Sequence, residues 1–354
     1  MFRPTVNVQG KRGGVLAGAL FGILLLLGSV VTLWVNEGRA DLSKIAQEAI
    51  VIPATSAPSE AQGQLVAATG TLEAAEPAFD ADFGVRGEYV ELDRDVEMYA
   101  WDEDEDDNNY SYNTEWTSSP ADSAQFHYSA GHENPPMPYR EATFYAQVGR
   151  VGSYTFDPSR AHLSGAESVS PGSDLRLPRA ARIAGSYIYI GRGSPTQPVV
   201  GDVRISYRAV PAGRTVTLYG QLQGDQVEPF YKGNDKLYGV WGGSHEESMA
   251  TMHQEYVIMG WVLRLVGFLT MWFGLNLIVS PLTNLLGFIP VLGRLGRGVI
   301  WAVNFAIALA VSLVIMLVSF VAHRWYLILA VVVVGIGLAA FFIYRQRQRA
   351  APAA

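Results

Sequence analysis

The chain has 354 residues, 49% of them hydrophobic, and no cysteine. All 33 acidic residues fall between Glu37 and Glu255 with 16 of the 26 basic ones, so that window carries −17 and the remainder +10 with no acid. This sorting excludes a single uniform soluble domain. The missing cysteines exclude disulfides, thiolate metal sites and cysteine nucleophiles, and a charge of −17 argues against nucleic acid as a partner.

In chain order, residues 1–14 form a short basic N-terminus with Arg3, Lys11 and Arg12. Val15 to Val35 is an uncharged apolar run, too long for the apolar region of a cleaved signal peptide, and predicts an uncleaved signal anchor. Residues 36–256 form the acidic domain. Three further apolar runs follow at 257–280, 299–322 and 325–344, each near the ~20 residues that a helix needs to cross the bilayer. Between the second and third, 281–298 is apolar but short and predicts an interfacial or re-entrant segment, with Arg294 and Arg297 at lipid headgroups. The tail, 345–354, is basic.

Positive charge in short flanks marks the cytoplasmic side. A cytoplasmic N-terminus puts Arg3, Lys11, Arg12, Arg294, Arg297, Arg345, Arg347 and Arg349 inside and leaves only Arg324 in the short outer loop. Both termini are then expected in the cytoplasm and the acidic domain outside it. The expected fold is an α+β membrane protein with four transmembrane helices, one N-terminal and three C-terminal, and a large mainly-β extracytoplasmic domain.

Within that domain, Asp41 to Ile50 has a helical apolar face, and Val90 to Ala100 alternates as a half-buried strand does. Thr143 to Val148 and Ile183 to Ile190 are further strand candidates. Val199 to Val210 and Thr215 to Leu222 are β-rich runs that flank Pro211-Ala212-Gly213-Arg214, and they predict a hairpin. Proline, glycine and serine from Pro158 to Pro178 predict a long surface loop. Ser244 with Glu247 reads as a capping box, starting a helix that runs into the second span.

Candidates for chemistry are few. Asp102 to Asp107 offers carboxylates to Ca²⁺, but EF-hand spacing fails at Asp107 and Asn113, so a solvated acidic loop is expected. His132-Glu133 and His245-Glu246 lack a second histidine at zinc spacing, and Gly191-Arg192-Gly193 reads as a turn. Tyr110, Tyr112 and Trp116 read as packing residues. No nucleophile, base and orienter set is evident, so neither an enzyme nor a cofactor or metal is expected. Polar groups inside a bilayer are costly and therefore informative. Arg264 lies in the outer part of its span, where it snorkels, lines a wet cavity, or pairs with an acid of the outer domain, Glu246, Glu247 and Glu255 being at hand. Asn276 and Asn304 fall at similar depth and are placed to bond across helices.

Several separate stretches resemble the LUMA, or transmembrane protein 43, family. They are Asn36-Glu37-Gly38-Arg39-Ala40; Tyr110-Ser111-Tyr112-Asn113-Thr114-Glu115-Trp116 with Gly131-His132-Glu133-Asn134-Pro135; Val200-Gly201-Asp202-Val203-Arg204-Ile205-Ser206; Gly224-Asp225-Gln226; and Trp261-Val262-Leu263-Arg264 with Gly274-Leu275-Asn276-Leu277. The resemblance implies a four-pass protein with no established enzymatic activity. In animals it implies the endoplasmic reticulum and inner nuclear membrane, with partners such as lamins and emerin. In a bacterium the same topology implies an inner-membrane protein with a periplasmic domain. The functional expectation is a membrane scaffold or sensor whose outer domain binds a partner or ligand, with the bilayer, other membrane proteins and a second copy of the chain as partners. The alternative is a transporter or channel component built on the C-terminal helices.

Overall fold

A computed structural model describes residues 9–55, 59–106, 109–172, 175–286 and 296–324, with 333, 335–337 and 341. The chain divides into two compact units: Asp41–His253, and the residues before and after it.

The first unit is mainly β. Leu65–Ala75 pairs with Val148–Val151, which pairs in turn with Tyr154–Phe156. That strand meets Gln226–Glu228, then Thr215–Gln223, which returns to Leu65–Ala75 and closes a ring of five strands. Closure leaves these strands without a free edge and encloses Val66, Ala68, Leu72, Tyr154, Phe156 and Leu218. A Thr69–Thr217 hydroxyl bond of 2.8 Å joins two of its strands. A short helix, α2 (Leu42–Ala46), is capped by Asp41, whose carboxylate accepts from Ser43 and contacts His253 at 3.0 Å.

A second sheet is built on one strand of 18 residues, Tyr89–Asp106. Val203–Pro211 pairs with its first half on one side and Ala142–Tyr145 on the other; beyond Met98 its partner is Asn109–Thr117. Val90, Leu92, Val96, Met98 and Ala100 are fully buried, as the alternation predicted. The strand does not stop there. Asp102 to Asp106 remain in it, so this stretch is a strand and not the expected loop, because Asn109–Thr117 supplies the ladder that the acids alone would not support.

The hairpin expected around Pro211 is also corrected. Val203–Pro211 lies in the second sheet and Thr215–Gln223 in the first. The turn is held to other strands: the Ala212 N–H donates to the Glu88 carbonyl, and that of Gly213 to Leu72. The Pro158–Pro178 loop contains two short strands, His162–Leu163 and Glu167–Val169. Ile183 to Ile190 is a hairpin of Ala181–Ala184 and Tyr187–Ile190 turning at Gly185.

Arg94 breaks the apolar alternation and is buried. Its guanidinium meets fully buried Asp80 at 2.8 Å, and Asp80 also accepts from the Tyr207 hydroxyl at 2.8 Å. The pair is further satisfied by Asp82 and by the Arg140 carbonyl, with the rings of Phe83 and Phe144 against the guanidinium. Burial and the Asp80 charge push the Tyr207 hydroxyl far above its ordinary range, so it remains a donor.

Among the described residues, three helices are long and apolar enough to cross a membrane. They are α1 (Gln9–Glu37), α3 (His245–Leu286) and α4 (Gly296–Ala322). The capping box is present, with the Ser244 N–H donating to Glu247 at 2.8 Å and the Glu247 N–H to Ser244 at 3.3 Å. α3 runs through Pro281 to Leu286 and α4 already starts at Gly296, so both ends of the expected interfacial segment are helical. Its middle, 287–295, and the expected fourth span, 325–344, lie outside the described residues except for a few helical positions. α1 and α3 meet at Gly22 and Gly274, where a Cβ on either would fall 2.8 Å from the other's carbonyl oxygen. Only glycine allows that approach.

Glu91 generates a test. It stands between Val210 and Tyr145 on the long strand, and burial, then the neighbouring Asp93 charge, push its carboxyl up to about 7. A carboxyl raised above its unfolded value near 4.5 stabilises the fold fully below that value, and the contribution is lost as pH rises through about 7. Glu91→Gln should therefore flatten the fall in unfolding free energy between pH 5 and about 8. An unchanged slope in denaturant titrations across that window would show that Glu91 is not the group responsible.

Candidate functional site

The long strand positions the first candidate region. Beyond Tyr99, whose N–H and carbonyl still bond Asp202 and Gly201, it has left its other partner strands, so the rest of it to Asp106 and Asn109–Thr117 form a two-stranded arm. Such a hairpin is marginal by itself and needs a cover. Odd residues of the first strand and even residues of the second share a face, placing Tyr99, Trp101 and Glu103 with Tyr110, Tyr112 and Trp116.

Direct cross-strand pairs become hydrogen bonds here. The Tyr112 hydroxyl donates to Glu103 at 2.5 Å, and that of Tyr110 to Glu105 at 3.2 Å. The segment after the arm then returns over this face. His132 stacks on Tyr112 with centroids 3.8 Å apart and meets Trp101 edge-on, while His127 stacks on Tyr110 at 4.0 Å. Glu103 also accepts from the His127 N–H at 2.6 Å, and Tyr112 accepts from the Tyr128 N–H. Asn134 fastens the end of the cover: it accepts from the Trp101 N–H at 2.7 Å and donates to the carbonyls of Trp101 and Ala121. Of the motif residues, Tyr112 and His132 are thus brought together, and the packing reading of the tyrosines fits their contacts. Glu115 is exposed, as is Asn113, whose bond to Asp104 is long at 3.5 Å.

Trp116 leads to a second cluster. Arg204 lies 4.7 Å over its ring and holds Glu97 through two bonds of 2.5 and 3.0 Å. Nearby in sequence, Asp202 is buried and accepts from the Tyr189 hydroxyl and the N–H groups of Arg192, Gly193 and Val199. Burial opposes its charge, but these donors outweigh it and hold its carboxyl below the usual range. The turn at Gly191-Arg192-Gly193 is therefore a carboxylate nest, and a Cβ on Gly193 would sit 2.4 Å from Asp202. Asp225 is exposed in the Gly224-Asp225 turn, where its carbonyl accepts from the Thr155 N–H. Among the described residues no group of three or more histidine and carboxylate side chains is placed to hold a metal.

The membrane unit holds the remaining candidates. Arg264 is paired with Glu37, not with Glu246, Glu247 or Glu255: its Nε and Nη2 donate to the two carboxylate oxygens at 2.7 and 3.0 Å. Glu37 is nearly fully buried, which a lone carboxylate at the end of a span would not tolerate. Beside it Asn36 donates to the Gly260 carbonyl at 3.1 Å, and Arg39 lies 5.5 Å over the Tyr256 ring. The motif at 36–40 is thus the partner of the motif at 261–264. Deeper, Asn304 donates to Asn276 at 2.9 Å, and Asn276 to the Trp272 carbonyl. Arg297 opens the first turn of α4, and Arg294 lies outside the described residues.

Sequence reasoning missed three residues that organise these sites: Asp80 and Arg94, and Asn134. The signal for Arg94 was its place on the apolar parity of a strand, which demands a buried counter-charge. Asn134 stood inside a quoted motif, but its role depends on a clamp across 33 residues.

The family model described as Transmembrane protein 43 matches residues 94–325. Transmembrane protein 43 of Homo sapiens is 29% identical over 93% of this chain and 90% of its own. The Rattus norvegicus protein is 29% identical over 87% and 84%, and the Drosophila melanogaster homolog 26% over 86% and 89%. No solved structure matches.

Two tests follow from the geometry. Asn134→Ala removes three side-chain bonds and should cost about 1–3 kcal/mol locally. Amide exchange should accelerate at 101–106 and 109–115 and stay unchanged in the five-strand ring; uniform acceleration would mean that the clamp is not local. Glu37→Gln and Arg264→Gln, with their double variant, should show a coupling of about 0.5–3 kcal/mol in micelle unfolding. Strict additivity would show that the pair contributes nothing.

Proposed function

Because the chain belongs to the transmembrane protein 43 family, we propose that it is a membrane scaffold or sensor without a catalytic step of its own, whose acidic domain lies outside the cytoplasm and gathers other membrane proteins or a second copy. The observation that carries this reading is the braced arm. From Trp101 to Tyr139 the sequence has nine acids and no lysine or arginine, and six of the acids are on a strand pair held in one shape by the His127, His132 and Asn134 contacts. Preorganisation of this kind lowers the ordering cost of binding, and an unbroken negative potential favours partners of opposite charge.

The topology belongs to the same proposal. Both termini are cytoplasmic, the fourth span crosses at 325–344, and Arg294 and Arg297 face lipid headgroups, on the distribution of basic residues. The membrane is the endoplasmic reticulum or inner nuclear membrane in a eukaryotic cell and the inner membrane in a bacterium. The transport alternative draws on Arg264 and the segment at 281–298, and of these Arg264 is paired with Glu37, which favours a fastening role for it.

Reporter fusions after Gly10, Ala100, Gly296 and Ala354 should read cytoplasmic at all sites but position 100; a cytoplasmic readout there overturns the topology. Crosslinking in native membranes should recover a defined membrane protein or a homodimer with the wild-type chain. A variant with Glu103, Glu105 and Glu115 changed to glutamine should lose that product. Equal recovery by both chains would remove the arm from the scaffold reading.

A further inference from the structure

A cleft of about 420 Å³ opens beside the Phe79–Asp80 and Val85–Arg86 strand pair, lined by Pro77, Ala78, Phe79, Arg86, Glu88 and Arg176, with Gly87 between them. The volume falls in the range of small-molecule sites. Three segments form its walls, and each is tied down by backbone bonds. The Ala78 N–H donates to the Tyr89 carbonyl, that of Arg176 to Phe83, and that of Ala212 to Glu88. Gly87 keeps the backbone against the Tyr89 ring, where a Cβ would fall 2.4 Å from the ring. The cleft is therefore formed in advance by the fold.

Its chemistry is two-sided. Pro77, Ala78 and the exposed face of Phe79 give an apolar wall. Arg86 lies 5.2 Å over the Phe79 ring, an arrangement that holds a guanidinium in place while its in-plane N–H groups stay available. Among the described residues neither Arg86 nor Arg176 makes an ion pair, although the domain around them is strongly acidic. Glu88 is the one carboxylate on the lining, leaving an excess of one positive charge.

We propose that this cleft binds a small organic anion, with a carboxylate or phosphate end held by Arg86 and Arg176 and an apolar body against Phe79 and Pro77. The site deepens the sensor half of the function proposed above and rests on it. Loss of the ligand with normal partner crosslinking would remove the cleft and leave the scaffold reading standing.

The test is calorimetry on the full chain in neutral maltoside micelles. 4-Phenylbutanoate and phenyl phosphate should bind saturably, with inorganic phosphate and 4-phenylbutylamine at least tenfold weaker. Arg86→Gln with Arg176→Gln should weaken both aromatic anions at least tenfold at an unchanged melting temperature, whereas micelle partition would persist in the variant. Arg176→Gln alone, on an exposed side chain, should give a smaller loss in the same direction and guards against misfolding of the double variant. Phe79→Ala should weaken the aromatic anions and leave inorganic phosphate unaffected. Absence of saturable binding, equal affinity in the arginine variants, or equal binding of the amine would each overturn the proposal.

Discussion

The backbone of a strand must find a partner for every polar group along its length, and Tyr89–Asp106 meets that demand by changing partners midway. Its first half is held by Val203–Pro211 and Ala142–Tyr145; its second has Asn109–Thr117 as its one partner strand, with Gly201, Asp202 and the Asn134 side chain bonding Tyr99 and Trp101 on the other edge. The inner face changes with the partners: apolar but for Arg94 through Ala100, acidic from Asp102. One element thus contributes both to the core of the second sheet and to a charged arm outside it. The histidine stacks and the Asn134 clamp are needed because two strands beyond a core have no layer to rest on.

With no cysteine available, charge placement performs some of the fastening that disulfides perform elsewhere. Four buried or nearly buried carboxylates among the described residues are satisfied in different ways: Asp80 by Arg94 and Tyr207, Asp202 by a backbone nest and Tyr189, Asp41 by Ser43 and His253, Glu37 by Arg264. Breaking such a pair leaves an uncompensated charge, which makes each of them intolerant of single substitution. The arrangements differ because their settings do. A core between two sheets brings an arginine from a strand of the other sheet, a tight glycine turn offers N–H groups, and a membrane helix has only another helix to draw on.

How much of this could be read from the sequence follows from the range of each interaction. The three described spans were legible because long uncharged apolar runs are a local property, and Ser244 with Glu247 because a capping box spans three residues. The strand from Val90 was legible as far as its alternation lasted, and the acids after Ala100 concealed its continuation, since their support comes from Asn109–Thr117. The turn at Pro211 looked like a hairpin because turn chemistry does not reveal which strand a run pairs with. For Arg264 the acids of its own helix drew attention, while Glu37 sits 227 positions away in sequence. The motif at 36–40 did contain the answer, but only as an unexplained resemblance.

The five-strand ring has a consequence for synthesis. Thr69 and Thr217 are 148 positions apart, yet their strands are neighbours in the ring, and Gln226–Glu228 must also be in place before it closes. At about 5–20 residues per second a ribosome needs roughly 7–30 s to deliver the intervening chain. Throughout that interval the edge of Leu65–Ala75 that Thr215–Gln223 covers in the ring stays open, with nothing covalent to hold it. A cell that makes this protein must therefore shield an early strand until a late one arrives, so the demand on its chaperones is set by chain order more than by final stability.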